Sequence, residues 1–163
     1  MKAMKKDRFI CDYTVYEDLA ELPEMAQLLM TRAHEAARNA YAPYSHFKVG
    51  AAVLLDDGTI VLGSNIENVA YPSGLCAERV AMFAAQAQHP GVAIVALAVT
   101  AHSDKDLVAE PVSPCGSCRQ VMAEVEKVSG RALTIYSQGE EGPVFQFDGV
   151  EKLLPFIFIG KYL

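Results

Sequence analysis

A chain of 163 residues, 52% hydrophobic and 21% charged, is long enough for one domain with a sizeable core and too apolar for a disordered one. Its formal net charge of -6 argues against a nucleic-acid partner, whose affinity comes mainly from Lys and Arg on phosphates, and leaves a small neutral substrate open. No apolar run reaches bilayer-spanning length, and no apolar core of signal-peptide length follows the basic start Met1–Arg8, so the expectation is a cytoplasmic protein with no membrane partner.

In chain order, Phe9, Cys11, Tyr13 and Val15 alternate as in a strand or an extended tail. Residues 1–20 are treated as an N-terminal extension of uncertain structure, and 21–163 as a single domain. Glu21 to Ala40 carries a helical stripe of Leu22, Met25, Leu28, Leu29, Arg32, Ala33 and Ala36, with Pro23 in the first turn. Val49 to Leu55 and Ile60 to Leu62 form a hairpin about Asp57-Gly58. A polar loop leads to a helix from Cys76 to Gln88, stopped at His89-Pro90-Gly91. Val92 to Thr100 is nearly all apolar, which predicts a central strand covered on both faces. After a polar loop at 101–114 come a helix from Cys115 to Val128, a strand at Ala132–Tyr136, a short strand at Val144–Phe147 and a short helix at Val150–Leu154. This order predicts an α/β layer fold with the hairpin at one side and parallel strands beyond it.

The chemistry is concentrated in two stretches, Cys76-Ala77-Glu78 and Pro114-Cys115-Gly116-Ser117-Cys118. Cys115 and Cys118 are spaced so that both thiolates reach one ion at the start of a helix, and Cys76 supplies a third ligand from elsewhere in the fold. Soft thiolates suit zinc, and three protein ligands leave the open position that marks a catalytic zinc. Helix N-termini lower thiol pKa and favour the thiolate form that a metal needs. Zinc lowers the pKa of a bound water, and Glu78 is placed to take a proton from water and pass it to a ring nitrogen and then to a leaving amine. The competing reading of Glu78, an acidic first-turn residue complementing the helix dipole, is weaker beside three zinc-spaced cysteines. Three thiolates outweigh the charge of a divalent ion, and Arg79 is the candidate to offset them by hydrogen-bonding the sulfurs. Its alternative is a helix arginine in a surface pair. Cys11 is left over and reads as a small buried residue. His34, His46, His89 and His102 stand at no ligand spacing to a cysteine and are read as surface or loop residues.

From Tyr44 to Phe158 the chain resembles the homotetrameric cytidine deaminases. The residues that carry the resemblance are Tyr44 to Ala52, Asn65-Ile66-Glu67-Asn68, Cys76-Ala77-Glu78-Arg79, Ser113 to Gln120 and Leu153-Leu154-Pro155. The resemblance implies a three-layer α/β/α fold around a mixed five-stranded sheet. It implies one zinc per chain on Cys76, Cys115 and Cys118, with Glu78 as proton shuttle. It places Asn65 and Glu67 on the ribose hydroxyls, Phe47 beside the pyrimidine and Ala77 at the substrate. It implies a homotetramer whose sites borrow residues from neighbouring subunits, with Phe158 as the candidate for the shared wall. The tail Phe156-Ile157-Phe158-Ile159 departs from the family by replacing smaller, more polar residues. From the residues alone, Asn65 and Glu67 can bond sugar hydroxyls or serve loop turns equally well, Phe47 would be a core aromatic, and Tyr44 and Tyr71 suit a pocket or a core place alike.

The leading expectation is hydrolytic deamination of cytidine and 2′-deoxycytidine in pyrimidine salvage. An alternative with the same chemistry is a deaminase of a cytosine-containing antibiotic such as blasticidin S, whose family resembles this chain less around Asn65–Asn68 and Arg79. An alternative of another class is a non-catalytic zinc module, which would need a fourth protein ligand.

Overall fold

Small residues decide how this molecule is layered. The computed structural model describes residues 4–160; Met1–Ala3 of the basic start and extension, and residues 161–163, lie outside them. The elements are β1 (Thr14–Tyr16), α1 (Glu24–Ala37), β2 (Phe47–Leu55), β3 (Ile60–Ser64), α2 (Ala77–Gln88), β4 (Ile94–Ser103), α3 (Gly116–Ser129), β5 (Thr134–Ser137) and β6 (Val144–Asp148). The strands form one mixed sheet in the order β1-β6-β5-β4-β2-β3. β4 and β5 are the parallel pair, and every other neighbour is antiparallel. The parallel arrangement expected beyond the hairpin therefore ends at β5, because the short turn before Val144 returns the chain antiparallel.

The five expected strands gain a sixth at the edge. Thr14, Val15 and Tyr16 pair with Gln146, Phe145 and Val144. Tyr13 adds its ring, with centroids 4.9 Å from Phe145 and 5.5 Å from Phe147. The alternation seen at Phe9–Val15 thus becomes a strand only where β6 offers a partner. Cys11, expected to be buried, is exposed ahead of that strand, among exposed Phe9, Ile10 and Tyr13.

On one face of the sheet α1 packs against Ala52, Ala96, Ala98, Tyr136 and Val144. On the other, α2 and α3 cover Ala51, Val53, Leu97, Val99 and Ile135. β4 is buried on both faces, as its unbroken apolar run requires. It runs on to Ser103, past the expected end, because the start of β2 lies opposite: Phe47 pairs with Ser103 and Val49 with Ala101.

α1 begins at Glu24, with Pro23 at the N-cap rather than in the first turn. Its buried residues are Ala26, Leu29, Met30, Ala33, Ala36 and Ala37, while Met25 and Leu28 of the expected stripe face outwards. The reason is the contact with β2. A Cβ on Gly50 would overlap the Ala33 carbonyl and the Ala37 amide, so the helix must present its alanine face there. The same device seats α2, because a Cβ on Gly63 would overlap the Ala77 carbonyl and the Ala81 amide. Gly63 thereby lets the first turn of α2 lie directly on β3, and that turn carries Glu78.

Candidate metal centre and substrate cleft

Both motif helices start where a loop leaves the sheet, and cysteines stand at their ends. Cys76 is the N-cap of α2, Cys115 is the N-cap of α3, and Cys118 lies in the first turn of α3. Neither N-cap makes a side-chain capping bond, so both thiols are free to turn towards each other. The Cys76 and Cys115 sulfurs are 3.7 Å apart, and those of Cys115 and Cys118 are 3.5 Å apart. Sulfurs about 2.3 Å from a tetrahedral zinc stand roughly 3.8 Å from one another. The three cysteines form the one group of candidate metal donors among the described residues, all within 4.8 Å of each other.

The electrostatics of the trio also call for a cation. Hydrogen bonds from Cys118, then from Arg79 and Cys115, pull the Cys76 thiol down to about 5. Cys118 is pushed up, first by its bond to Cys76, then by burial and by the charge of Glu78. Three thiols this close cannot all ionise without a positive partner, and a divalent ion is the partner that would let them. Arg79 supplies part of that charge. Its Nη2 donates to the Cys76 sulfur at 3.6 Å, and its Nε is buried without a protein hydrogen-bond partner. Its hydrogen-bond partner among the described residues is thus a sulfur and not a surface carboxylate.

Glu78 is 4% exposed. Burial raises its carboxyl pKa above the ordinary range, and the negative charge of Cys76 adds to the effect. A buried carboxyl with a raised pKa accepts a proton more readily than an exposed one, which suits a group that must take a proton and pass it on. Ala77, beside it, is fully buried against Gly63. As the first helical residue, it has a backbone N–H with no partner inside α2.

A cleft of about 590 Å³ opens beside Cys76 and Arg79, with Tyr44, Ser45, Asn65, Glu67 and Tyr71 along its walls. Glu67 is tied to one wall, where its Oε2 accepts from the amides of Tyr44 at 2.8 Å and Ser45 at 3.2 Å. Ser45 and then Tyr44 hold this carboxyl below its usual range. Asn65 bridges to β2: its Oδ1 accepts from the Val49 amide at 2.7 Å, and its Nδ2 donates to the Phe47 carbonyl at 2.9 Å. Asn65 and Glu67 thus do share the cleft, and both also do the loop work that sequence alone left open. Tyr44 and Tyr71 meet edge to face at the cleft wall, 5.9 Å apart. Phe47 opens β2 next to Asn65 and is partly exposed. The amides of Tyr44 and Ser45 escaped the sequence reading, because a backbone group leaves no residue-type signal.

Phe158 lies elsewhere. It is exposed and sits with Phe83, Gln120 and Val121 over the outer side of α2 and α3. His34 is on α1 rather than in a loop, and its Nε2 is 3.0 Å from the Gln138 Oε1. His102 is on β4, 2.8 Å from Glu140.

Residues 23–130 match the model of the cytidine and deoxycytidylate deaminase zinc-binding region. The cytidine deaminase of Halalkalibacterium halodurans is 41% identical over 135 residues, covering 83% of this chain and 95% of that protein. The cytidine deaminase of Sporosarcina psychrophila is 44% identical over 131 residues, covering 80% of this chain and 88% of that one. Among solved structures, the cytidine deaminase from Burkholderia pseudomallei superposes with a TM-score of 0.70 at 40% identity, covering 80% of this chain and 97% of its own. That from Mycobacterium tuberculosis superposes with a TM-score of 0.62 at 37% identity, covering 80% and 94%.

Proposed function

The chain belongs to the cytidine and deoxycytidylate deaminase family, and on that premise we propose that it hydrolyses cytidine and 2′-deoxycytidine to uridine and 2′-deoxyuridine, releasing ammonia, as a step of pyrimidine salvage. The juxtaposition of a buried Glu78 with the Cys76–Cys115–Cys118 sulfur group carries this reading. One zinc per chain, held by the three thiolates, would supply a Lewis acid that activates a water for attack.

The protein's own groups do the rest. Glu78 takes a proton from the attacking water and delivers it to N3 of the pyrimidine. The water oxygen bonds to C4; Glu78 then takes the remaining proton of that hydroxyl and passes it to the exocyclic amine, which leaves as ammonia as its bond to C4 breaks and the C4 carbonyl forms. Arg79 offsets the charge of the thiolates. The Ala77 N–H points the base, and Phe47 packs beside it. Asn65 and Glu67 hold the ribose: Glu67 spends Oε2 on the loop amides and keeps Oε1 for a sugar hydroxyl.

Residues 21–163 form the catalytic domain in this reading, and 1–20 are an added extension. The family match, which begins at residue 23, supports that division. The assembly is a homotetramer in which a neighbour's tail, including Phe158, closes each cleft. Exposed Tyr41, Tyr44, Ile66, Val69, Tyr71 and Leu75 about the cleft support an apolar cover there. The cytoplasm is its location and a nucleoside its partner. The formal charge of -6 weighs against nucleic acid, and no helix among the described residues is long and apolar enough to cross a membrane.

Ammonia release from cytidine, deoxycytidine, cytosine and blasticidin S, measured side by side with zinc content, tests the proposal. Turnover of both nucleosides with about one zinc per chain is expected. Turnover of blasticidin S alone would shift the reading to the antibiotic deaminases, and zinc without turnover of any of the four would reduce it to a binding module.

A further inference from the structure

Of the three metal-binding cysteines, Cys115 has the least to hold it in place. Cys118 is buried in the core between the helices and the sheet, whereas Cys115 is an exposed N-cap without a capping bond, followed by exposed Gly116 and Ser117. Packing therefore does little to aim its side chain. Its direction depends on the peptide unit that precedes it, and Arg119 holds that unit.

Arg119 lies one helical turn after Cys115 and is partly buried. Its Nε donates to the carbonyl of Pro114 at 2.7 Å, and its Nη1 donates to the carbonyl of Leu153 at 2.6 Å. Pro114 is itself buried, and its ring locks its φ. Because the peptide group is planar, holding the Pro114 oxygen also holds the nitrogen and Cα of Cys115. Leu153 is the other anchor. It is buried in the same core as Cys118 and Met122 and closes the short turn at Val150–Lys152.

We propose that Arg119 is a positioning residue for the metal centre, its guanidinium clamping the Pro114 carbonyl to that of Leu153 and thereby aiming Cys115 at its partners. The rigid fork of a guanidinium can serve two carbonyls at once, and each bond is charge-assisted. The adjacent Gln120 makes a useful contrast. Its Nε2 donates to the carbonyl of Phe158 at 2.8 Å, so it ties the same tail to α3 without touching the metal loop.

The inference rests on the zinc reading above, and two measurements separate the failure of one from the failure of the other. The first is the rate at which zinc-loaded protein gives up its metal to an excess of a chromophoric chelator. Arg119→Gln is expected to release zinc about tenfold to a hundredfold faster, the usual scale for losing a group that orients a ligand. Arg119→Lys is expected to fall between, because an ammonium keeps the charge and reaches one carbonyl. Gln120→Ala is expected to release at the rate of the unaltered chain. An unaltered rate in Arg119→Gln overturns the clamp, and so does equal acceleration in Gln120→Ala. If Arg119→Gln does not fold, Arg119→Lys decides by the same criterion.

The second measurement needs no metal. Amide hydrogen exchange of the metal-free protein is expected to quicken in the segment 115–119 of the Arg119 variants and to stay unchanged in β4 and β5, which a general loss of stability would also affect. An unaltered chain that binds no zinc would overturn the zinc reading alone, and the clamp would then stand or fall on local exchange.

Discussion

The terminal nitrogen of Arg79 stands 3.6 Å from the sulfur of Cys76, one turn earlier at the head of the same helix. The contact works in both directions: the guanidinium helps to keep Cys76 ionised, and the sulfur holds the guanidinium more firmly charged. Arg79→Gln keeps length and a hydrogen-bond donor but removes the charge. The Cys76 thiol, held at about 5 by Cys118 first and Arg79 next, is expected to titrate at higher pH. Thiolate absorbance of the metal-free protein across pH reads this directly. Turnover of the zinc-loaded variant should fall at full zinc occupancy. An unmoved thiolate titration together with unaltered turnover would leave Arg79 without a role in the site.

Glu78 lies outside the Cys76–Cys115–Cys118 donor group, so Glu78→Gln is expected to retain zinc and lose nearly all turnover. Loss of a positioned general acid–base group typically costs about a hundredfold to ten-thousandfold in rate. Metal content and cytidine turnover are measured on the same sample. Cytidine turnover at the unaltered rate would exclude the shuttle role.

Glu67 serves the loop and, as proposed, the sugar. Glu67→Ala should raise KM for cytidine by about tenfold or more, and alter activity on free cytosine far less. Equal effects on the two would assign Glu67 to the loop alone. The loop tie is also pH-dependent. Because the folded carboxyl is held below its usual value, the tie is complete above the unfolded value and is lost as pH falls through the folded one. KM for cytidine should accordingly rise at the acid end of the range, and that rise should vanish in Glu67→Ala.

Gly63→Ala tests how α2 is seated. The new methyl group would collide with the Ala77 carbonyl and the Ala81 amide, so α2 must lift from β3. Overpacking of this kind costs about 1–3 kcal/mol, read from the urea midpoint. Since the same turn carries Cys76 and Glu78, zinc affinity should fall as well. An unaltered midpoint would mean that the helix has room the structure does not show.

What the sequence determined by itself is local chemistry and local conformation. The spacing of Cys115 and Cys118, the place of Glu78 after Cys76 and the hairpin at Asp57-Gly58 are all settled within a few residues, where covalent geometry limits the options. The unbroken apolar run of β4 likewise required cover on both faces. The tertiary structure decided everything that depends on an approach between distant segments. It brought Cys76 to Cys115 on one face of the sheet and turned Arg79 onto a sulfur instead of a surface partner. It committed the carboxamide of Asn65 to the β2 backbone. It made a strand of Thr14–Tyr16 because β6 had an open edge, and it left Cys11 exposed just before that edge. It turned Met25 and Leu28 outwards because Gly50 admits only the alanine face of α1. Hydrophobic periodicity says that a helix has an apolar side, but the residues that reach the core are chosen by the closest backbone contact, and that contact is made by another part of the chain.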